Sequence, residues 1–273
     1  MTAFLFWNVQ AKDTSASLCR LAIKHDLHVI SLAERPPASV DIPKALTAAT
    51  GHAYRVQPNP GCDYIYTVTR LPAASFTTSR SSKRFAIYRL HPRRKPEVLV
   101  AVAHLPPKEP GGNTEDNQRS VAFDFAKRIA RQERKYKHTR TVVVGDLNMN
   151  PHDLGVISAD GLHAVSARKI ASKASRVINA RPSGPLFFNP MWRHWGDAKE
   201  TPAGSFYLPC SRTDCLFWHI LDQVLYRHAM TKLFDEDSLR ILDGDGTESF
   251  CTNSGVPRSK FPDHFPIVFE LNV

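Results

Sequence analysis

The most constraining feature of this sequence is a series of apolar segments that each carry a polar side chain at one end. These polar residues are Asn8, Glu34, His104, Asp146 with Asn148, Asp222, and Asp263 with His264. Segments of this character form buried strands, and the ends of neighbouring strands lie at the same edge of a sheet. We therefore expect these side chains to converge on one rim of a packed double sheet.

The apolar segments have the spacing and composition of β-strands. Residues 3–9 alternate and are rich in aromatics, while residues 98–105 are almost entirely apolar, which predicts a central strand. Further strands are expected at 28–33, 63–69, 84–90, 141–144, 204–208, 216–227 and 264–271, and helices at 14–26, 41–50 and 115–137. No repeat or linker interrupts this pattern, so we expect one α/β domain over residues 1–273.

The size of the chain and its cysteines limit the classes of protein to consider. A folded monomer of 30.6 kDa exposes roughly 12,000 Å² of the roughly 44,000 Å² that its unfolded chain would expose, which leaves ample surface for a core. The five cysteines are odd in number and scattered, which favours reduced thiols and a cytoplasmic location. No apolar run approaches the roughly 20 residues that span a bilayer, so no membrane partner is expected.

The net charge indicates a polyanionic partner. The chain has 36 Lys and Arg residues against 26 Asp and Glu residues, a formal charge of +10 at pH 7. This excess is clustered, and clustered positive charge attracts phosphates, which favours nucleic acid as the partner. The clusters are Arg80, Lys83 and Arg84; Arg93, Arg94 and Lys95; residues 127–140; and Arg168, Lys169, Lys173 and Arg176.

Six short motifs carry a family resemblance. They are Phe6-Trp7-Asn8-Val9, Val29-Ile30-Ser31-Leu32-Ala33-Glu34, Val102-Ala103-His104-Leu105, Gly145-Asp146-Leu147-Asn148, Leu221-Asp222-Gln223-Val224-Leu225 and Phe261-Pro262-Asp263-His264-Phe265-Pro266. In these motifs and their order, the chain resembles the endonuclease/exonuclease/phosphatase superfamily, which includes DNase I, exonuclease III, the AP endonucleases and the inositol-polyphosphate 5-phosphatases. The resemblance runs from about residue 3 to residue 271. It implies a DNase I-like fold, a four-layer α/β sandwich in which two mixed β-sheets lie face to face, flanked by helices.

The resemblance also implies a divalent-metal site. Glu34 and Asp263 correspond to the positions that bind or flank the metal in the family, and Asn8 supports the site. The metal is expected to be Mg²⁺, with Mn²⁺ as the alternative. A hard cation held by a few carboxylates can stabilise the charge that develops when a phosphodiester is hydrolysed.

The remaining motif residues have catalytic roles by the same resemblance. His264 is expected to be the general base or the group that polarises the phosphate, with Asp222 orienting its ring. Asp146 and Asn148 are expected to position the nucleophilic water and the phosphoryl group. His104 is expected to contact a phosphate oxygen or to protonate the leaving group.

Two departures from the family pattern affect this expectation. DNase I-like members have a glutamate that pairs with the histidine at position 104, whereas the matching stretch here reads Ser82-Lys83-Arg84-Phe85. Ala33 replaces a usual glutamine, for which we expect a modest effect. The basic substitution adds positive charge near the scissile phosphate, and we expect Arg80, Lys83 and Arg84, in one loop, to bind substrate.

The positions around the motifs favour a nuclease. The histidine at position 104 argues against a strict abasic-site enzyme, and Met149-Asn150-Pro151 is similar to bacterial exonuclease III and general nuclease members. The sequence therefore predicts a Mg²⁺-dependent nuclease that cleaves DNA, with RNA left open as a further substrate, by attack of a water activated by the His264–Asp222 pair. Two alternatives stay open: a phosphatase or phosphodiesterase acting on small-molecule or lipid phosphates, and a non-catalytic nucleic-acid-binding module.

Overall fold

The apolar segments form strands, as the sequence predicts. A computed structural model describes residues 1–108, 115–172, 177–178, 181–182, 184–196, 202–209 and 215–273. Within these ranges the strands, numbered along the chain, are β1 (Thr2–Asn8), β2 (Val29–Ala33), β3 (Arg55–Val56), β4 (Ile65–Thr69), β5 (Phe76–Ser82), β6 (Phe85–Leu90), β7 (Val98–His104), β8 (Thr141–Asp146), β9 (Ala164–Val165), β10 (Val177–Ile178), β11 (Arg181–Pro182), β12 (Phe187–Phe188), β13 (Phe206–Tyr207), β14 (Trp218–His219), β15 (Asp222–Arg227), β16 (Phe234–Ile241) and β17 (Ile267–Leu271).

Five α-helices and two 3₁₀ turns connect the described strands. The helices are α1 (Ser15–Lys24), α2 (Ile42–Thr50), α3 (Glu115–Tyr136), α4 (Leu154–Ile157) and α5 (Arg168–Ala171), and the 3₁₀ turns are Pro190–His194 and His228–Met230. Helix α2 shows why these bounds are well defined: the Asp41 side chain accepts a hydrogen bond from the Lys44 amide, and Gly51 ends the helix with a left-handed φ of 74°. Among the described helices, none combines the length and apolar character that crossing a bilayer requires.

Most of the strands form two mixed sheets. The first has the order β16-β17-β1-β2-β4-β3, and the second has the order β5-β6-β7-β8-β15-β12-β9. Strands β1 and β2 are parallel in the first sheet, and β7 and β8 are parallel in the second, while their other neighbours are antiparallel. The remaining described strands form the two-stranded pairs β10-β11 and β13-β14.

The alternation of side chains along β7 shows how the layers are arranged. Val100 and Val102 belong to the core shared with the first sheet, whereas Leu99 and Ala101 pack on the other side with Phe125 of α3. Successive residues of a strand point to opposite faces, so β7 lies between the first sheet and α3. Buried leucines of α1 and α2 join the core of the first sheet. The result is the expected α/β sandwich of two face-to-face sheets flanked by helices.

Some expected elements differ in the structure. The expected strand over 216–227 is divided into β14 and β15, and the expected loop around Arg80 is strand β5. Strand β16 has no counterpart among the expected strands. Helix α1 is shorter than the expected 14–26, and two members of the fourth basic cluster, Lys173 and Arg176, lie outside the described residues.

Candidate active site

Three of the motif residues form one rung across the second sheet. In the pairing register of β7, β8 and β15, His104 is the partner of Asp146 and Asp146 is the partner of Asp222. Val102, Val144 and the other residues at the same alternation face the first sheet, so the side chains of this rung point between the two sheets. The parallel strands β7 and β8 contribute their carboxyl ends, as the sequence predicts, and the antiparallel strand β15 contributes its amino end, which lies inside the expected strand over 216–227.

His264 is paired with Asp222. The Nδ1 atom of His264 lies 2.8 Å from Asp222 Oδ2, and both side chains are buried. Asp222 is also fixed by its backbone, since its amide donates to Ser205 Oγ at 2.9 Å. The backbone of His264 is held as well, because Trp7 Nε1 donates to His264 O at 2.9 Å.

The electrostatic surroundings favour the charged form of His264. Burial lowers the pKa of His264, but the negative charges of Asp222 and Asp146 outweigh this effect and raise it above its ordinary value. Burial raises the pKa of Asp222, and the positive charge of His264 opposes the increase. We interpret the pair as an imidazolium held beside a carboxylate that has no access to solvent.

Asn8 joins the two sheets at the site. Its side-chain amide lies 3.1 Å from Glu34 Oε1 and 3.0 Å from Asp146 Oδ2, and it donates to both carboxylates. Its side-chain oxygen accepts from the Gln10 amide at 3.1 Å. Glu34 itself follows β2 with a left-handed φ of 51°, an unusual conformation for a non-glycine residue that redirects the chain at the strand end. The Asn8 side chain therefore bridges the Glu34 and Asp146 carboxylates as a neutral donor.

His104 is buried next to these carboxylates without a hydrogen bond to them. Its Nε2 atom lies 3.6 Å from Asp146 Oδ2 and 3.8 Å from Glu34 Oε1. Burial lowers the pKa of His104, and the charges of Asp146 and Glu34 only partly oppose the decrease. The neutral imidazole is thus the favoured form of this histidine, in contrast to His264.

Asp263 and Asn148 complete the cluster from its two sides. The Asp263 amide donates to Gln10 Oε1 at 3.1 Å, and Asp263 Oδ1 lies 3.9 Å from His264 Nε2. Asn148 has a left-handed φ of 52°; its amide donates to Asp146 Oδ1 at 2.9 Å and its side chain donates to Leu105 O at 2.8 Å. Burial raises the pKa of Asp263, and the nearby charge of Glu34 adds to the increase.

The donor set suits a hard divalent cation. Ligand atoms of Asp146, Asp222 and His264 lie within 4.8 Å of one another, and Asp222 Oδ1 and Asp263 Oδ1 are buried without a hydrogen-bond partner among the described residues. Carboxylate and amide oxygens are the ligands that Mg²⁺ and Mn²⁺ prefer. The acidic residues therefore fit a metal, which would satisfy the buried Asp263 oxygen and offset the repulsion between the carboxylates.

The basic residues expected to bind substrate are only partly brought to the site. Arg84 reaches it, because its Nη1 atom donates to His104 O at 3.4 Å, and Lys83 lies beside it in the turn between β5 and β6. Arg80 is exposed on β5, and no contact in the described part of the chain joins it to the acidic cluster.

Sequence reasoning missed two residues at this site. Gln10 links Asn8 to Asp263 from a position that the motif pattern does not single out. Tyr64 precedes β4, and its ring lies between Arg84 and His104. A tyrosine at the start of an apolar strand is ordinary in a sequence, so nothing in the local pattern distinguished it.

Solved structures with the same architecture are enzymes that act on phosphate esters. The endonuclease domain of TRAS1, a telomere-specific non-LTR retrotransposon, is 12% identical, with 99% of this chain and 97% of that chain covered and a TM-score of 0.54. An AP endonuclease from Archaeoglobus fulgidus is 10% identical, with 100% of both chains covered and a TM-score of 0.55. The 3′ phosphatase NExo from Neisseria, solved with a product DNA hairpin, is 12% identical, with 100% of both chains covered and a TM-score of 0.53.

These similarities establish the fold. Structures described as endonuclease/exonuclease/phosphatase family proteins are among the matches, at 11 to 12% identity over 97 to 100% of their chains. No family model matches the sequence, and no curated protein sequence is similar to it.

Proposed function

We propose that this chain, with its endonuclease/exonuclease/phosphatase fold, is a metal-dependent phosphodiester hydrolase that cleaves DNA, with RNA as the alternative nucleic-acid substrate. The proposal treats residues 1–273 as one catalytic domain. The observation that carries it is the buried His264–Asp222 pair, 2.8 Å between Nδ1 and Oδ2, beside the Asp146 carboxylate that Asn8 connects to Glu34. An ion pair with only a structural role would not need further carboxylates beside it, one of which has a buried oxygen without a hydrogen-bond partner among the described residues.

His264 and Asp146 divide the work of hydrolysis in this proposal. Since the Nδ1 of His264 is engaged by Asp222, Nε2 is the ring atom left to face the substrate. The raised pKa keeps an N–H on Nε2, so it donates to a non-bridging phosphate oxygen and stabilises the growing negative charge. Asp146, held by Asn8 and by the Asn148 amide, accepts the proton of the attacking water.

Glu34 and Asp263 would hold the divalent metal, with Asn8 orienting the Glu34 carboxylate. A bound Mg²⁺ or Mn²⁺ supplies Lewis-acid stabilisation of the phosphoryl oxygens. On the leaving-group side, His104 lies beside the Asp146 and Glu34 carboxylates, and the Arg84 guanidinium donates to the His104 backbone oxygen from the β5–β6 turn. Arg84 supplies the positive charge that the neutral imidazole of His104 lacks.

The positive surface supports a polymer as substrate. The formal charge of +10 includes Lys83 and Arg84 at the rim, and positive charge next to a hydrolytic site concentrates polyphosphates there. The names of the similar solved structures include both endonucleases and a 3′ phosphatase. A phosphatase acting on small phosphates is therefore the competing function.

The test is digestion of supercoiled plasmid, linear duplex, single-stranded DNA and RNA by the purified protein with Mg²⁺, Mn²⁺ or EDTA. We expect metal-dependent cleavage that disappears in His264→Ala. The matched control is His52→Ala, which removes an exposed histidine after α2 and should cleave like the wild type. Cleavage that persists in His264→Ala would contradict the proposal. Release of phosphate from inositol or nucleotide phosphates, without cleavage of any polymer, would favour the competing function.

A further inference from the structure

The orientation of the His104 ring is not fixed by hydrogen bonds. In the described part of the chain, His104 Nδ1 is buried and has no hydrogen-bond partner. Its Nε2 atom is 3.6 Å and 3.8 Å from the nearest oxygens of Asp146 and Glu34, beyond hydrogen-bond distance. The polar partner that would select one rotamer of this imidazole is therefore missing, and another contact must do so.

Tyr64 provides that contact. Its ring meets the His104 ring edge to face, with centroids 5.6 Å apart and an interplanar angle of 75°. This is a favourable geometry for a pair of aromatic rings. The Arg84 guanidinium carbon lies 4.1 Å from the centroid of the same tyrosine ring, and Lys83 Nζ lies 5.9 Å from it. One ring thus contacts both the buried imidazole and the cation nearest to it.

Backbone hydrogen bonds hold these groups in place around Tyr64. The His104 amide donates to Arg84 O at 2.9 Å, and Arg84 Nη1 donates back to His104 O at 3.4 Å. The Tyr64 amide donates to Lys83 O at 3.3 Å, which ties the start of β4 to the turn that carries Arg84. These hydrogen bonds keep the backbones of Tyr64, Arg84 and His104 together, so the tyrosine ring lies next to both side chains.

We propose that Tyr64 is a positioning residue that sets the orientation of both His104 and Arg84 toward the scissile phosphate. The proposal rests on the proposed function. In this arrangement a tyrosine and an arginine hold the histidine where a carboxylate partner is absent. Within the described residues the Tyr64 hydroxyl makes no hydrogen bond, so the ring and not the hydroxyl positions His104 and Arg84.

The kinetic test compares Tyr64→Leu with Tyr64→Phe. We expect Tyr64→Leu to lower kcat about tenfold with little change in KM. The conservative Tyr64→Phe keeps the ring and should retain most of the wild-type kcat. The matched control is Tyr136→Leu, which removes a tyrosine ring that has Arg89 4.0 Å away but lies at the end of α3 without contact to a site residue. An unchanged kcat in Tyr64→Leu would overturn the proposal.

A double-mutant cycle tests whether the effect passes through Arg84. Arg84→Gln should lower kcat/KM about tenfold in the wild-type background and less than threefold when Tyr64 is already Leu. Equal losses in the two backgrounds would mean that the residues act independently, which contradicts the proposal.

A third measurement does not depend on activity. In histidine-labelled, metal-free protein, the His104 ring resonance is assigned with His104→Gln and then compared in Tyr64→Leu and Tyr64→Phe. We expect the resonance to broaden in Tyr64→Leu alone, because an imidazole without its packing partner samples more than one rotamer. A resonance that stays sharp, even where it shifts through the lost ring current, would overturn the positioning role even in a protein without phosphodiesterase activity, and a broadened one would support it there.

Discussion

Asp222 Oδ2 lies 2.8 Å from His264 Nδ1, and both side chains are buried. In Asp222→Asn the shape is preserved, but an amide can no longer stabilise the imidazolium and can present an N–H to Nδ1. By the logic of other histidine–carboxylate pairs, we expect kcat to fall about 10³-fold or more. Cleavage rates measured beside a thermal unfolding curve check this. A variant that unfolds as the wild type does and retains kcat would contradict the role of the pair.

Metal binding should stabilise the folded protein. A cation that binds only the folded state at 100 times its Kd adds about 2.7 kcal/mol to the free energy of unfolding. For a chain of this size that is a rise in Tm of roughly 5–10 °C. We expect this rise with Mn²⁺ or Mg²⁺ in the wild type, and a much smaller one in Glu34→Gln and Asp263→Asn.

The control for metal binding is Glu270→Gln, which removes a carboxylate from β17, outside the acidic cluster. Its Tm should rise with metal as in the wild type. Equal rises in Glu34→Gln and Glu270→Gln would show that the stabilising cation binds elsewhere.

The rim cations should contribute to the salt dependence of DNA binding. Each phosphate contact that is lost lowers the slope of log K against log salt by about one. We expect Lys83→Ala and Arg84→Ala to show this loss in binding assays with EDTA, while Arg93→Ala, at the opposite end of β6, should not. Arg80 lies within β5, farther from the site than the β5–β6 turn, and Arg80→Ala measures whether the DNA-binding surface extends along this strand. A slope unaffected by Lys83→Ala and Arg84→Ala would argue for a small-molecule substrate.

The ion pair between the buried Asp245 carboxylate and Arg20 should make the free energy of unfolding depend on pH in the acidic range. Asp245 Oδ2 lies 2.6 Å from Arg20 Nη2, and Asp245 Oδ1 accepts from the amides of Thr247 and Glu248. Burial alone would raise the pKa of Asp245, but these hydrogen bonds lower it to about 2. A carboxyl with a depressed pKa stabilises the fold above its unfolded-state pKa near 4 and loses that contribution as pH falls toward 2.

Urea unfolding of the wild type and Asp245→Asn at pH 2.5 to 6 measures this contribution. The difference in free energy of unfolding should be no more than about 2 kcal/mol at pH 6, because Arg20 is partly screened by solvent, and it should shrink below pH 4. Asp26→Asn, which breaks a pair whose carboxylate is 73% exposed, should have little effect. A difference that is constant with pH would contradict the assignment.

Gly145 is required by the close approach of two central strands. A Cβ atom at this position would lie 2.0 Å from the backbone oxygen of Ala103 in β7. We expect Gly145→Ala to lower the free energy of unfolding by about 3 kcal/mol or more and to displace Asp146. Gly184→Ala, where a Cβ has no atom within 4 Å, is the control and should be close to neutral. Chemical denaturation of both variants distinguishes a packing effect from a general sensitivity to substitution.

The buried strands of the fold and the convergence of the motif residues could be predicted from the sequence for the same reason. Strands such as β7 and β8 are apolar because both of their faces are covered, so a polar residue at the end stands out. Two longer strands that the sequence did not predict, β5 and β16, are outer strands of the two sheets and have polar sequences, Phe-Thr-Thr-Ser-Arg-Ser-Ser and Phe-Asp-Glu-Asp-Ser-Leu-Arg-Ile. An edge strand needs little apolar surface, so its pattern resembles that of a loop.

The contacts around the site could be predicted less well than its members. Tyr64 meets Arg84 and His104, which lie 20 and 40 residues away along the chain, and no local spacing encodes that meeting. The expected continuous strand over 216–227 was wrong because the chain leaves the ladder at Ile220 and Leu221, where Leu221 O instead accepts from the Leu147 amide. Apolar residues in such a connection have the same pattern as apolar residues in a strand.

The rung formed by His104, Asp146 and Asp222 makes the assembly of the candidate site depend on correct strand pairing. A slip of one residue between β8 and either neighbour would turn the slipped strand's side chains to the opposite face of the sheet. A misfolded molecule of this kind could keep its secondary structure and much of its compactness while losing the site entirely. If the proposed function holds, the specific activity recovered after refolding would therefore measure the fraction of molecules with the native strand register. Circular dichroism would not distinguish these molecules from those with a slipped register.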